Sequence, residues 1–311
     1  MKSLPERRPT SGYRARKLAV RLLPARLKRA LLQAIELSYV ARAYGKTVAG
    51  KAGRLPDFLI FGAQRSGTTN LYDLLVRHPS VNAASHKEVH FFDLHYGRGE
   101  RWYRGNFPSQ QRDSSGGALV CGEATPTYIA YGSAPARVRE LIPDVKLVVL
   151  LREPVARAVS HYHHFRRLGN EHRSFEDAIA WEYGYLSSGN RPLLLDSPER
   201  GSDPLYLSLS AYAPQLQRWL STFPREQIFI AAAEELFENR DVILASLGRF
   251  LGLRSPFPPD SVPPKQFPYP EVAEETRLSL TGFFAPFNRE LESLLERSLP
   301  WSSDEGRDAA G

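Results

Sequence analysis

The chain has 311 residues, 42% of them hydrophobic and 24% charged, the ordinary balance of a globular protein with one large domain. A single cysteine, Cys121, excludes an internal disulfide scaffold, and the longest apolar runs fall far short of the roughly 20 residues that cross a bilayer. The net charge of +7 is lopsided: residues 1–55 carry 14 Lys/Arg against Glu6 and Glu36, leaving 27 basic and 32 acidic residues for the rest, which argues against a nucleic-acid-binding body.

Residues 1–16 show no periodicity and read as a disordered start. From Pro24 to about Tyr44, Leu23, Leu27, Leu31 and Ile35 recur at four-residue spacing among Arg26, Lys28, Arg29 and Arg42. That is a basic amphipathic helix, which either packs on the domain, rests on an anionic membrane surface through residues 20–44, or helps hold a polyanionic substrate. Residues 45–55 read as a linker. The N-terminus lacks a signal-peptide pattern, so a cytoplasmic location is expected.

The body alternates strands and helices. Strand Phe58–Phe61 is followed by a loop and a helix from Thr68 to Arg77, then by a strand near Val81–Ala84 and the loop Lys87-Glu88-Val89-His90-Phe91-Phe92. A strand near Ala118–Cys121 precedes a helix over Ala134–Leu141. The most apolar strand, Lys146–Leu151, ends at Arg152, and Pro154 opens a helix to about Leu168. A helix over Ser210–Thr222, a strand over Ile228–Ala232 and helices over Val242–Leu251 and Glu274–Arg297 complete the pass. This order predicts an α/β fold: one P-loop-like domain over 56–301, with a central parallel sheet flanked by helices, preceded by the basic extension 1–55 and followed by a disordered tail, 302–311.

Two segments point to anion binding. In DFLIFGAQRSGTT, Gly62 and Gly67 are separated by four residues and followed by Thr68-Thr69. This is the frame of a phosphate-cradling loop, with Thr68 where a nucleotide-triphosphate site has lysine. Backbone N–H groups and a helix N-terminus hold the anion there, and Arg65 supplies the cation. The second is Arg152, delivered to the carboxyl end of a strand with Ser160 eight residues on. The N–H groups of the helix opened by Pro154 are expected to point at the same place. Two anion sites suggest a nucleotide phosphorylated at its 5′ end and on its ribose.

GAQRSGTTNLYDLLVRHP, HKEVHFFD, GEATPTYI and LVVLLREPVARAVSHY together resemble the successive motifs of the sulfotransferases that use 3′-phosphoadenosine 5′-phosphosulfate (PAPS), closest to the heparan sulfate 3-O- and N-sulfotransferase branch. The resemblance covers roughly residues 56–301. It implies that Gln64, Arg65, Ser66, Gly67, Thr68 and Thr69 bind the 5′-phosphosulfate, that Arg152 and Ser160 bind the 3′-phosphate, and that Lys265 belongs to a second nucleotide loop. It implies Glu88 as the base that takes the acceptor's proton, with Arg65 as catalytic cation. Glu88 could instead pair with Lys87 or Arg65, and His90 is the alternative base. Glu123 and His90 are expected at the acceptor site, although Glu123 could cap a turn and His90 could pack beside Phe91 and Phe92. The acceptor is expected to be a saccharide or small molecule, with no metal required. The chain departs from the pattern at Arg65, where lysine is usual, at Ala124, where the 3-O enzymes have lysine, and at Gln266-Phe267, where Gly-Arg is usual. These departures keep open a binding protein of the same fold that has lost turnover; a P-loop kinase is the other alternative.

Overall fold

The computed structural model describes residues 25–50, 53–109, 117–197, 204–258 and 272–302. The elements in order are α1 (Ala25–Val48), β1 (Phe58–Gly62), α2 (Thr68–Arg77), β2 (Val81–Ala83), α3 (Gly99–Arg104), β3 (Val120–Ala124), α4 (Ala134–Leu141), β4 (Lys146–Leu151), α5 (Pro154–Leu168), α6 (Phe175–Ser187), α7 (Tyr212–Leu220), β5 (Ile228–Ala232), α8 (Ala233–Glu238), α9 (Arg240–Leu251) and α10 (Glu274–Leu295). The expected disordered start, the tail beyond residue 302 and Lys265 lie outside the described residues.

The five strands among the described residues form one parallel sheet, in the order β2-β3-β1-β4-β5. Alternate strand residues feed two cores. Leu59, Phe61, Leu147, Val149 and Leu151 face one layer with Tyr212, Leu216 and Trp219 of α7. Phe58, Ile60, Val148 and Leu150 face the other, with Leu71, Leu74 and Leu75 of α2 and Leu247 and Leu251 of α9. Burial on both faces is why β1 and β4 are unbroken apolar runs.

Several stretches differ from the sequence reading, the unread short helices α3 and α8 among them. Strand β3 runs to Ala124 rather than stopping at Cys121, because Gly122 is packed against Phe58: a Cβ there would lie 2.5 Å from its ring. Helix α6 goes unread in the sequence, although Ser174 caps it by accepting from the Asp177 N–H at 3.1 Å. Helix α1 continues past Tyr44 to Val48, held on the body where Thr47 Oγ1 donates to Arg101 O at 2.9 Å.

Candidate active site

Strands β1, β3 and β4 are neighbours, and their carboxyl ends deliver the Gly62–Gly67 loop, Glu123-Ala124 and Arg152 to one edge of the sheet. The loop begins where Gly62 passes Ile129 so closely that a Cβ would lie 2.7 Å from it, and ends at Gly67, with φ of 92°. Among the described residues, no side chain caps the N-terminus of α2. Ser66 and Thr68 are buried, while Gln64, Arg65 and Thr69 are half-buried.

Arg65 has a left-handed backbone, φ 70°, and its Nε donates to Ser160 Oγ at 3.2 Å. Arg152 Nη1 donates to the Arg65 carbonyl at 3.3 Å, and the Tyr212 hydroxyl to the Arg152 carbonyl at 2.9 Å. The two anion segments are therefore one site, with Tyr212 beneath it. Burial pushes the Tyr212 phenol up to about 12, so it remains a donor.

A third guanidinium stands behind the first two. Arg157 is fully buried and donates to Ser210 Oγ at 2.7 Å and to the Tyr206 carbonyl at 2.6 Å. Burial brings it down to about 10, with the like charges of Arg65 and Arg152 adding to the fall and Tyr212 and Glu182 opposing it. His161 beside it is held well below the usual imidazole value by burial first and then by Arg157. Three cations within electrostatic reach make a place that an anion stabilises.

The start of α5 departs from expectation. Its first N–H groups are taken by its own neighbour: Glu153 accepts from Val155 N at 2.8 Å and Ala156 N at 2.6 Å. Glutamate before Pro154 is an N-cap, so just past β4 the guanidinium of Arg152, rather than the helix end, is left for an anion. Glu234 accepts from the Glu153 N–H at 3.0 Å; burial raises its carboxyl, while Arg152 and that hydrogen bond oppose the rise.

On the other side of the site, Glu88 and His90 both adopt positive φ, 64° and 54°. Glu88 is 48% exposed in its side chain and pairs with Lys87 Nζ at 2.6 Å, the ion pair held open as an alternative. His90 Nδ1 meets Asp93 Oδ2 at 2.8 Å, and Thr127 Oγ1 donates to the same oxygen at 2.6 Å. Burial alone would lower His90, but the hydrogen bond and charge of Asp93, helped by Glu88 and Glu123, carry it above its usual value. Burial would raise Asp93, yet the same bond and those from Thr127 and Leu94 N–H hold it below the carboxylate range.

Glu123 is fully buried, with its carboxylate accepting from Tyr103 at 2.6 Å, Thr125 at 2.6 Å and Tyr128 at 3.1 Å. Burial pushes its carboxyl up. It lies beneath the acceptor-side loop, fully buried, because the chain after β3 brings the Thr125 and Tyr128 hydroxyls onto it and α3 adds that of Tyr103. Sequence reasoning missed Asp93, Arg157 and Glu153. The H-x-x-D spacing of His90 and Asp93 was a usable signal; nothing local separates buried Arg157 from a surface charge. Among the described residues, no group of three His, Cys, Asp or Glu side chains is arranged to hold a metal ion.

The sulfotransferase domain family matches residues 55–264. The mouse heparan sulfate glucosamine 3-O-sulfotransferase 6 is 30% identical over 286 residues, covering 84% of this chain and 78% of that protein. The human bifunctional heparan sulfate N-deacetylase/N-sulfotransferase 2 is 31% identical over 279 residues, 78% of this chain but only 30% of that protein. A sulfotransferase crystal structure from Alicyclobacillus acidocaldarius superposes with a TM-score of 0.63 at 30% identity, covering 79% of this chain and 98% of that one.

Proposed function

The chain belongs to the sulfotransferase domain family and is an enzyme that transfers a sulfonate group, and on that premise we propose that it takes the group from PAPS and delivers it to a hydroxyl or amine of a saccharide. The contact that carries this reading is Arg65 Nε to Ser160 Oγ, 3.2 Å, which joins the loop after β1 to the helix after β4. A donor with anions at both ends needs two grips that meet in one cleft. The uncapped α2 N-terminus and the three neighbouring guanidiniums fit such a donor.

Bound there, the donor supplies the sulfonate on a 5′-phosphate leaving group. Arg65 and the N–H groups over Gln64–Thr69 would stabilise the negative charge that builds on the phosphate side, usually the largest catalytic contribution in group transfer. Arg152 and Ser160 would hold the 3′-phosphate, and the resemblance adds Lys265. On the acceptor side, Glu88 would take the proton, leaving its pair with Lys87 to do so; His90, oriented by Asp93, is the second base within the same loop. The acceptor class comes from the relatives, one named for glucosamine 3-O-sulfation and one for N-sulfation of heparan sulfate. A kinase is not favoured, since Thr68 replaces the lysine that reaches β- and γ-phosphates.

The test is direct. Calorimetry should show binding of adenosine 3′,5′-bisphosphate without magnesium, and label from sulfur-labelled PAPS should pass to desulfated heparan sulfate. Magnesium-dependent ATP binding with none of the bisphosphate would overturn the donor assignment.

We also infer that the enzyme is cytoplasmic and touches an anionic membrane surface through residues 20–44, of which 25–44 are described. No helix among the described residues is long and apolar enough to cross a membrane. Supporting the contact, Leu27, Leu31 and Leu37 on α1 are 58%, 37% and 67% exposed, in a segment with a strong basic excess.

A further inference from the structure

The loop that carries Glu88 and His90 is held in place by the segment after β3, and the ties to three of its amides, His90, Phe91 and Phe92, lead back to one carboxylate. The Glu88 N–H donates to the Ala124 carbonyl at 3.0 Å. The His90 N–H donates to Thr125 Oγ1 at 3.4 Å, and the Phe91 and Phe92 N–H groups to the Tyr128 hydroxyl oxygen at 2.9 and 3.3 Å. Both hydroxyls then give their own protons to Glu123: Thr125 to Oε2 and Tyr128 to Oε1. A hydroxyl has one proton and two lone pairs. Directing that proton at Glu123 leaves the lone pairs facing the loop amides. Positive φ at Glu88 and His90 is costly for residues with a Cβ and persists only where neighbours over-determine it.

We propose that Glu123 is a positioning residue for sulfonate transfer: its carboxylate fixes the direction of the Thr125 and Tyr128 hydroxyl protons, so that these oxygens clamp the strained backbone carrying Glu88 and His90. It touches neither donor nor acceptor. Because both oxygens are needed as acceptors, with Tyr103 adding a third donor at Oε1, the near-isosteric Glu123→Gln still fails. Its amide N–H must face one hydroxyl, which then turns its proton towards a loop N–H.

The proposal rests on Glu88 and His90 facing the acceptor, so its test includes a readout that needs no turnover. On the full chain, hydrogen exchange across residues 88–92 is measured alongside calorimetric binding of adenosine 3′,5′-bisphosphate. Glu123→Gln and Tyr128→Phe should each speed exchange of the loop amides by about fivefold or more, the worth of one lost hydrogen bond. Nucleotide affinity should stay within about twofold, the scale of a negligible loss. Exchange in α2 and α5 should not move. Transfer to desulfated heparan sulfate should fall in kcat, and Thr125→Ser should retain what Thr125→Val loses. Unchanged protection of 88–92 in the two variants overturns the proposal, as does loosening that spreads through α5 with a parallel loss of nucleotide affinity. If Glu123→Gln does not fold, Tyr128→Phe decides. Should the unaltered enzyme transfer nothing to this acceptor, the acceptor reading fails while the exchange result still decides the role of Glu123.

Discussion

Arg65 donates through Nε to Ser160 of α5, and Arg152 donates to the carbonyl of that same Arg65, so the loop after β1 is tied to α5 through its side chain and to the end of β4 through its backbone. Arginine shapes the first of these ties, since its Nε holds the hydroxyl from within a planar fork whereas a lysine ammonium gathers its three donors at one point; the second tie uses only the Arg65 backbone. The substitution of arginine for the family's usual lysine is thus a change of geometry at constant charge.

Arg65→Ala is expected to lower transfer by about 10²–10³-fold, the range for removing one preorganised donor at a developing negative charge. Arg65→Lys should recover part of that loss, since charge returns without the fork. Initial rates with labelled donor measure both. A rate for Arg65→Ala within a few-fold of the unaltered enzyme would remove Arg65 from the chemistry.

Arg152→Ala should act on affinity instead. Losing a charge-assisted hydrogen bond to phosphate costs about 1.5–3 kcal/mol, roughly a 10–100-fold weaker Kd for adenosine 3′,5′-bisphosphate. Ser160→Ala should cost about tenfold or less, as a neutral donor. Adenosine 5′-monophosphate, which lacks the 3′-phosphate, should bind both variants and the parent alike. If the two variants weaken the monophosphate equally, the 3′-phosphate does not sit on Arg152 and Ser160.

Glu88→Gln should lose most transfer while keeping donor affinity, and the pH profile then separates the two carboxyl-side roles. His90 is raised by Asp93, so the charged pair stabilises the fold fully below the ordinary imidazole value and loses that contribution as pH rises through the raised one. Asp93 is depressed, so its contribution is present above the ordinary carboxylate value and lost as pH falls through the lower one. Between those limits Asp93→Asn should lower the Tm by about 2–4 °C for each kcal/mol lost. The deficit should be larger at pH 5.5 than at pH 8.5. An equal deficit at both would mean that the hydrogen bond from Thr127, rather than the His90 charge, accounts for it.

What could be read from the chain depended on how local the cause was. The strand–loop–helix from Phe58 to Arg77 is legible because its apolar run, its two glycines and its helix start are contiguous. Arg152 is legible as the residue that follows an apolar strand. The cap by Glu153 was not, since a carboxylate beside a proposed phosphate site looks out of place until its hydrogen bonds to Val155 and Ala156 are seen. Glu123 reads as acceptor-facing or turn-capping because the strand is expected to end near Cys121. Its burial depends on Tyr103, twenty residues earlier, and on Gly122 fitting against Phe58, contacts that spacing does not encode.

The cap has its own consequence. Glu153→Ala leaves two N–H groups at the start of α5 without their carboxylate, and should destabilise the protein by about 1 kcal/mol. Urea unfolding reads this as a lower midpoint at unchanged slope. The same change removes a negative charge near Arg152, so bisphosphate affinity should hold or rise. A fall in both stability and affinity would show that Glu153 shapes the anion site as well as the helix end.

The outward side of α1 offers the last prediction. Of the large hydrophobic side chains exposed among the described residues, Leu27, Leu31, Leu37, Tyr44 and Val48 all lie on this one helix. Its opposite side is fixed to the body by buried Ala43 and Thr47, and Tyr39 stacks on His86 at 4.1 Å, one residue from Lys87. Replacing Leu31 and Leu37 with serine should therefore leave the fold and donor affinity intact. Each leucine presented to a bilayer interface is worth about 1.5–3 kcal/mol if fully buried, so the pair should reduce binding to phosphatidylserine vesicles by more than tenfold. Binding of the parent should weaken with salt, because residues 1–55 bring 14 basic side chains to an anionic surface. Vesicle sedimentation at low and high salt gives both numbers. Equal sedimentation of the parent and the double variant would detach this helix from any membrane role and return it to a structural one, as the support of the loop that begins at His86.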